Sequence, residues 1–225
     1  MGHLRQRLIA FDLDGTLIDS SADLATAANR LVLELGGTPL APAAIVAMVG
    51  EGAATLVARV LDAAGLARQP QALARFLTLY DDCLLDTTRP YDGVVEAVEY
   101  AASLGTVSLL TNKPAAATER ILEGLGLRGF FRDVIAGDTP HGRKPDPQGL
   151  RVLMDRAGAR PGDSVLVGDS AIDHATARAG GARACMAAYG FGYATFPRER
   201  LDGTEWVADT PAGLRLAFEA FAREA

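Results

Sequence analysis

Two aspartates two residues apart, Asp12 and Asp14, close the apolar run Leu8 to Phe11 and are followed at once by Gly15 and Thr16. A carboxylate can attack phosphorus and carry the phosphoryl group as an aspartyl-phosphate. A second carboxyl beside it can protonate a leaving alcohol and later take a proton from water. Aspartate and glycine also favour turns, so the pair alone equally describes a turn after a strand.

Three later stretches carry polar groups, two of them at the end of an apolar run. Val107 to Leu110 is followed by Thr111-Asn112-Lys113-Pro114. Thr111 and Asn112 can donate to phosphoryl oxygens, and the helix that follows presents free N–H groups to an anion. Arg143-Lys144-Pro145-Asp146-Pro147 places a lysine in a loop stiffened by two prolines. Val165 to Val167 runs into Gly168-Asp169-Ser170, with Asp173 four residues beyond Asp169. An aspartate in a first helical turn is stabilising by itself, which accounts for Asp173 but not for Asp169.

Lysine usage sharpens this. Of 22 lysines and arginines only Lys113 and Lys144 are lysine, and both stand in these stretches. A lysine ammonium is a compact charge on a flexible stem, suited to a phosphoryl oxygen. Gathered at one edge, Asp12, Asp14, Asp169 and Asp173 would repel by roughly 4 kcal/mol per pair at about 4 Å and ε of about 20. One lysine does not cancel that; a divalent cation would, and an all-oxygen site with open positions suits Mg²⁺.

Positioning these groups requires a sheet. Leu8 to Phe11, Val107 to Leu110, Asp133 to Ala136, Ser164 to Val167, Arg183 to Ala188 and an edge piece Trp206 to Ala208 read as strands. Helical patterns alternate with them at Val94 to Ser103, Ala115 to Leu125, Pro147 to Ala157, Ala171 to Ala179 and Leu214 to Ala222. That alternation predicts an α/β fold, a doubly wound parallel sheet whose strand ends carry the chemistry. Between the first strand and Thr88 the pattern is helical only: 21–36, Ala43 to Val49, Ala53 to Ala64 and Gln71 to Leu85. Ser20-x-x-Asp23 resembles a capping box for the first of these, and Asp146 is the expected N-cap before Pro147. The expected organisation is a core over 1–17 and 89–225 with a helical cap over 18–88, Thr88-Arg89-Pro90 serving as the exit hinge.

The 225 residues, 49% hydrophobic and 22% charged, describe a globular chain. A net charge of −6 without a basic cluster disfavours nucleic acid as a partner. No apolar run approaches a membrane span. Cys83 and Cys185 make no disulfide framework, which suits a cytoplasmic protein. Met1-Gly2-His3 receives no role.

The four stretches, in this order and with a helical insert after the first, resemble the haloacid dehalogenase-like phosphohydrolase superfamily over nearly the whole chain. The resemblance implies a Rossmann-like core, a helical cap, Mg²⁺ dependence and a phospho-aspartate intermediate. It assigns Asp12 as nucleophile and metal ligand, and Asp14 as acid/base whose main-chain carbonyl also binds metal. Thr111, Asn112 and Lys144 would hold the phosphoryl group, Asp169 would ligate Mg²⁺ and Asp173 would support it. Within the superfamily the chain is similar to the bacterial phosphoglycolate phosphatases. The stretches that carry this are Val49-Gly-Glu-Gly-Ala53, Arg89-Pro-Tyr-Asp-Gly-Val94, Thr111-Asn-Lys-Pro114, Tyr189-Gly-Phe-Gly-Tyr193 and Trp206-Val-Ala-Asp209. Asp92 and His174 depart from that subfamily's pattern.

The implied reaction is hydrolysis of a small phosphate ester, 2-phosphoglycolate first, by a monomer or homodimer. Gly50, Glu51 and Gly52 would meet the leaving group, and Lys113, Arg59 or Arg183 would supply a cation for its carboxylate. A haloalkanoate dehalogenase has no use for an acid/base at position 14, and a phosphonate hydrolase would need a cap lysine, absent from 17–88. A phosphatase for another ester, a sugar phosphomutase and a non-catalytic phosphate-binding module remain as alternatives.

Overall fold

The computed structural model describes residues 6–224, so Met1 to His3 lie outside the described residues. Strand β1 (Leu8–Phe11) leads through a tight turn into β2 (Ile18–Asp19) and then four helices, α1 (Ser21–Glu34), α2 (Pro42–Val46), α3 (Ala53–Ala63) and α4 (Ala72–Asp82). The chain returns through β3 (Arg89–Pro90) and then alternates: α5 (Val94–Leu104), β4 (Thr106–Leu110), α6 (Ala115–Gly124), β5 (Asp133–Ile135) and α7 (Gln148–Ala157). It ends with β6 (Ser164–Gly168), α8 (Ala171–Gly180), β7 (Arg183–Ala187), β8 (Trp206–Ala208) and α9 (Leu214–Glu224).

Six strands form one parallel sheet in the order β5-β4-β1-β6-β7-β8. The expected Rossmann-like, doubly wound sheet is present, with Trp206–Ala208 at its edge as anticipated. β1 is central, with Phe11 level with Leu109 on one side and Val167 on the other. All four of its residues are buried, because the sheet is covered on both faces. Ile9 and Phe11 face a core shared with α5, α9 and the four inserted helices, while Leu8 and Ala10 face one built with α7 and α8. This period-two alternation places the strand; the strand order reverses at β1, which opens a crevice beyond its carboxyl end.

Among the inserted helices α1 packs against α2, α3 and α4. Sequence reading missed one feature here. β2 and β3, two residues each, pair antiparallel, so the chain enters and leaves the helical insert through a small ribbon. Pieces this short carry no periodicity. The start of α1 also differs from expectation. No capping box forms at Ser20; its hydroxyl donates to Asp14 Oδ1 at 2.5 Å, and Asp23 turns to Thr87 and Thr88 instead. Those donors on the returning segment outcompete a local cap. Likewise Asp146 accepts from Gln148 N at 2.9 Å, one residue ahead of the N-cap position, which Pro147 occupies.

Candidate active site

The carboxyl ends of β1, β4 and β6 bring Asp12, Thr111 and Asp169 to one crevice, all buried. The Asp12 N–H donates to Val167 O at 2.9 Å, extending the ladder one residue past β1 before the turn. Gly15 makes that turn with φ of 81°, and a Cβ there would stand 1.9 Å from Asp169 Oδ2. The position therefore demands glycine for both conformation and space. Gly190 is excluded from gaining a side chain in the same way: a Cβ would meet Gly15 O at 2.1 Å and Asp169 Cβ at 2.4 Å. Gly192 N–H donates to Asp169 Oδ2 at 2.8 Å. The Tyr189-Gly-Phe-Gly-Tyr193 stretch is thus a cradle for Asp169. Tyr189 reinforces it, its hydroxyl donating to Thr16 O at 2.8 Å.

Lys144 lies at the centre. Its Nζ is 2.7 Å from Asp12 Oδ1 and 2.6 Å from Asp173 Oδ1, fully withdrawn from solvent. Burial works against the ammonium, but the two carboxylates outweigh it and hold its pKa above the ordinary lysine value. Asp173 caps α8, its Oδ2 forming the capping box with Ser170, while its Oδ1 accepts from Lys144 Nζ. Carboxyl oxygens of Asp12, Asp169 and Asp173 lie within 4.8 Å of one another. Burial raises Asp12 to about 7, Lys144 opposing and Asp173 adding to the rise. Asp169 is pushed well above the carboxylate range by burial and by repulsion from Asp173 and Asp12.

Three buried carboxyls thus share one buried cation, a deficit of positive charge in an all-oxygen donor set. That set fits a hard divalent cation. The Asp14 carboxylate stands apart from the cluster, held by Ser20 and by Lys113 Nζ at 2.9 and 3.1 Å.

The other expected residues are distributed as follows. Thr111 lines the cleft, its Oγ1 accepting from Lys113 N at 3.2 Å. Asn112 also lines it, but both amide protons are spent, on Gly50 O and Lys144 O at 2.9 Å each, and its buried Oδ1 has no partner. Asn112 therefore ties the inserted Val49–Ala53 loop to the Lys144 loop. Gly50 and Gly52 face the cleft. Glu51 is exposed and paired with Arg59, whose Nη1 also donates to Met48 O. Arg183, at the opposite end of its strand, donates to Thr204 O and pairs with Glu224. Of the three cations proposed for a substrate carboxylate, only Lys113 borders the cleft.

The cleft is walled on the inserted side by Leu24, Leu56, Phe76, Leu77 and Tyr80. Tyr80 is a site residue the sequence did not single out. Its spacing on α4 reads as core, and its ring does stack on Phe76; only the tertiary contact of its hydroxyl with Lys113 Nζ, at 2.7 Å, reveals more.

Comparison with known proteins agrees with this geometry. Residues 6–181 match the haloacid dehalogenase-like hydrolase family. The chain is 41% identical over 194 residues to a phosphoglycolate phosphatase of Rhodospirillum rubrum, covering 82% of this chain and 80% of the relative. It is 40% identical over 195 residues to one of Pseudomonas putida, covering 83% and 71%. A crystal structure described as a predicted phosphoglycolate phosphatase from Haemophilus somnus superposes with a TM-score of 0.87 at 26% identity, covering 96% of this chain and all of that one. The chain belongs to the haloacid dehalogenase-like hydrolase family and is an enzyme.

Proposed function

We propose that the protein hydrolyses small organic phosphate monoesters through an aspartyl-phosphate on Asp12, with Mg²⁺ as cofactor and 2-phosphoglycolate as the leading substrate. That it is a phosphoric monoester hydrolase follows from the family and the named relatives. The observation supporting the mechanism is the pairing of roles at the crevice. Asp12 Oδ1 is occupied by Lys144, and Asp14 is held nearby by Ser20 and Lys113 without entering the acidic cluster.

In this reading the free oxygen of Asp12 forms a bond to phosphorus as the bond from phosphorus to the ester oxygen breaks. Asp14 gives its proton to the departing alkoxide. Water then attacks the aspartyl-phosphate, Asp14 takes that water's proton, and inorganic phosphate leaves with Asp12 restored. Lys144 and Thr111 hold the phosphoryl oxygens; Asn112 fixes the loops around them. Asp12, Asp169, the Asp14 main-chain carbonyl and, in support, Asp173 would hold Mg²⁺. The cation, when bound, offsets the charge among these carboxylates and the phosphoryl group. The inserted segment, 18–88, acts as a cap that excludes water.

Kinship and chemistry favour the substrate name. The relatives are phosphoglycolate phosphatases, and Lys113 offers a cation beside the acid/base. Free, buried Cys83 and Cys185 suit a cytoplasmic setting, and no helix among the described residues is long and apolar enough to cross a membrane. Phosphate release from 2-phosphoglycolate, sugar phosphates, pyrophosphate and a nucleotide, with Mg²⁺ and with excess chelator, tests the reading. Metal-dependent release dominated by 2-phosphoglycolate is expected. Release from other esters would refute the substrate, and release insensitive to chelation would refute the cofactor.

A further inference from the structure

Among the described residues lining the cleft, Lys113 is the one cation, and Tyr80 supplies the hydroxyl against it. Lys113 Nζ donates to Asp14 and to the phenol oxygen, so the phenol oxygen accepts, and its own proton is given to no protein acceptor. Both side chains are buried, Lys113 at 5% exposure and Tyr80 at 3%. Burial pushes the phenol up to about 12, Lys113 opposing and Asp14 adding to the rise, so it remains a donor at neutral pH. An ammonium and an unspent O–H, 2.7 Å apart, form a pair of converging donors. The walls around them, Leu24, Leu56, Phe76 and Leu77, offer no competing polar group.

The position of the pair relative to the chemistry selects its ligand. An acid/base must come within about 3 Å of the ester oxygen. Lys113 Nζ stands 2.9 Å from Asp14 Oδ1, so it lies one contact beyond that oxygen. In an ester of a 2-hydroxy acid the carboxylate is borne on the carbon attached to the ester oxygen, which is one contact beyond it as well. Lysine ammonium and tyrosine O–H donate to a carboxylate's two oxygens without needing the planar fork of arginine.

We propose that Lys113 and Tyr80 form a carboxylate subsite that selects 2-phosphooxy-carboxylates, with Tyr80 as the specificity-determining residue. This rests on the phosphatase reading of the same cleft. The Tyr80 hydroxyl gives its free proton to the substrate carboxylate, and Lys113 bridges that carboxylate and Asp14. An ester lacking the carboxylate meets the same catalytic groups but leaves the phenol proton unused.

The test is Tyr80→Phe, which keeps the ring stacked on Phe76 and removes the hydroxyl. Steady-state kinetics would be run on 2-phosphoglycolate, 2-phospholactate and 2-hydroxyethyl phosphate, the last being the first with its carboxylate replaced by a hydroxymethyl group. Losing a hydrogen bond to a charged group predicts an increase in KM of about 10- to 100-fold for both carboxylates. kcat on them, and both constants for 2-hydroxyethyl phosphate, should stay within about 3-fold. Equal losses on all three esters would overturn the subsite, because Tyr80 would then serve packing or Asp14. No loss on any would overturn it too, as would a wild type indifferent to the carboxylate. A wild type that cleaves 2-phospholactate but not 2-phosphoglycolate would sink the substrate name alone, and the subsite would stand on whether Tyr80→Phe raises that KM. Failure of the wild type to release phosphate from any ester would refute the phosphatase reading; competition of glycolate for the cleft, read by thermal shift in wild type and Tyr80→Phe, would still decide the subsite.

Discussion

Asp23 gives a sharp test of how the inserted helices are fastened to the sheet domain. Its carboxylate, at the start of α1, accepts from Thr87 N and Oγ1 and from Thr88 N and Oγ1, at 2.6 to 3.1 Å. Thr88 has no exposed surface, so Asp23→Ala strands its N–H and hydroxyl away from water, whereas the exposed Thr87 can recruit solvent. At about 1–3 kcal/mol for each buried donor left unpaired, the expected loss is about 3 kcal/mol. For a chain of this size that is roughly 6–12 °C in Tm. Thermal melts followed by circular dichroism would read it. The pH dependence has a definite sign. Burial alone would raise the Asp23 carboxyl, but the threonine hydrogen bonds outweigh it and hold the group below its ordinary 3.8. A carboxylate with a depressed folded-state pKa contributes stability that is complete above the unfolded value and is lost as pH falls through the folded one. The Tm gap between wild type and Asp23→Ala should therefore be flat from pH 8 to about 4 and narrow below. A gap under 2 °C at pH 7, or one that widens on acidification, would refute the assignment.

Asp12→Asn should abolish phosphate release without lowering Tm, because burial already penalises the charged form at this position; a variant that unfolds at a lower temperature would contradict that account. Gly15→Ala places a Cβ 1.9 Å from Asp169 Oδ2 at a φ of 81°, so activity and Tm should both fall, and an active variant of unchanged Tm would show the turn to be more pliant than drawn. Asn112→Ala deletes two hydrogen bonds, to Gly50 O and Lys144 O, worth roughly 2 kcal/mol together or about 30-fold in kcat/KM. The same substitution should expose the Val49–Ala53 loop to limited proteolysis, and unaltered cleavage there would remove Asn112 as the tie between insert and core.

What could be read from the chain alone divides along a physical line. Strand ends and helices were legible because they follow local rules: apolar runs buried on both faces, helical spacing, and glycine or aspartate where the chain must turn. Asp12, Thr111 and Asp169 were legible for the same reason, since each sits just past the end of such a run, whereas Lys144 stood out by the scarcity of lysine. What could not be read was the pairing of one segment with another. Ser20 and Asp23 have the spacing of a capping box, yet each is claimed by a distant partner, Asp14 in one case and the Thr87-Thr88 segment in the other. Asn112 looks like a phosphoryl donor until its amide is found between two carbonyls 62 and 32 residues away. Tyr80 looks like any aromatic on the buried stripe of a helix, and its ring is that; its hydroxyl becomes significant because α4 is laid over β4's end, against Lys113. In each case the local rule states what a side chain can bond, and the fold decides which bond wins. The same distinction orders the chemistry. The carboxylate pair proposed to attack and protonate is written in three consecutive residues, Asp12 to Asp14, whereas the proposed choice of substrate depends on a core lysine meeting a tyrosine from an inserted helix.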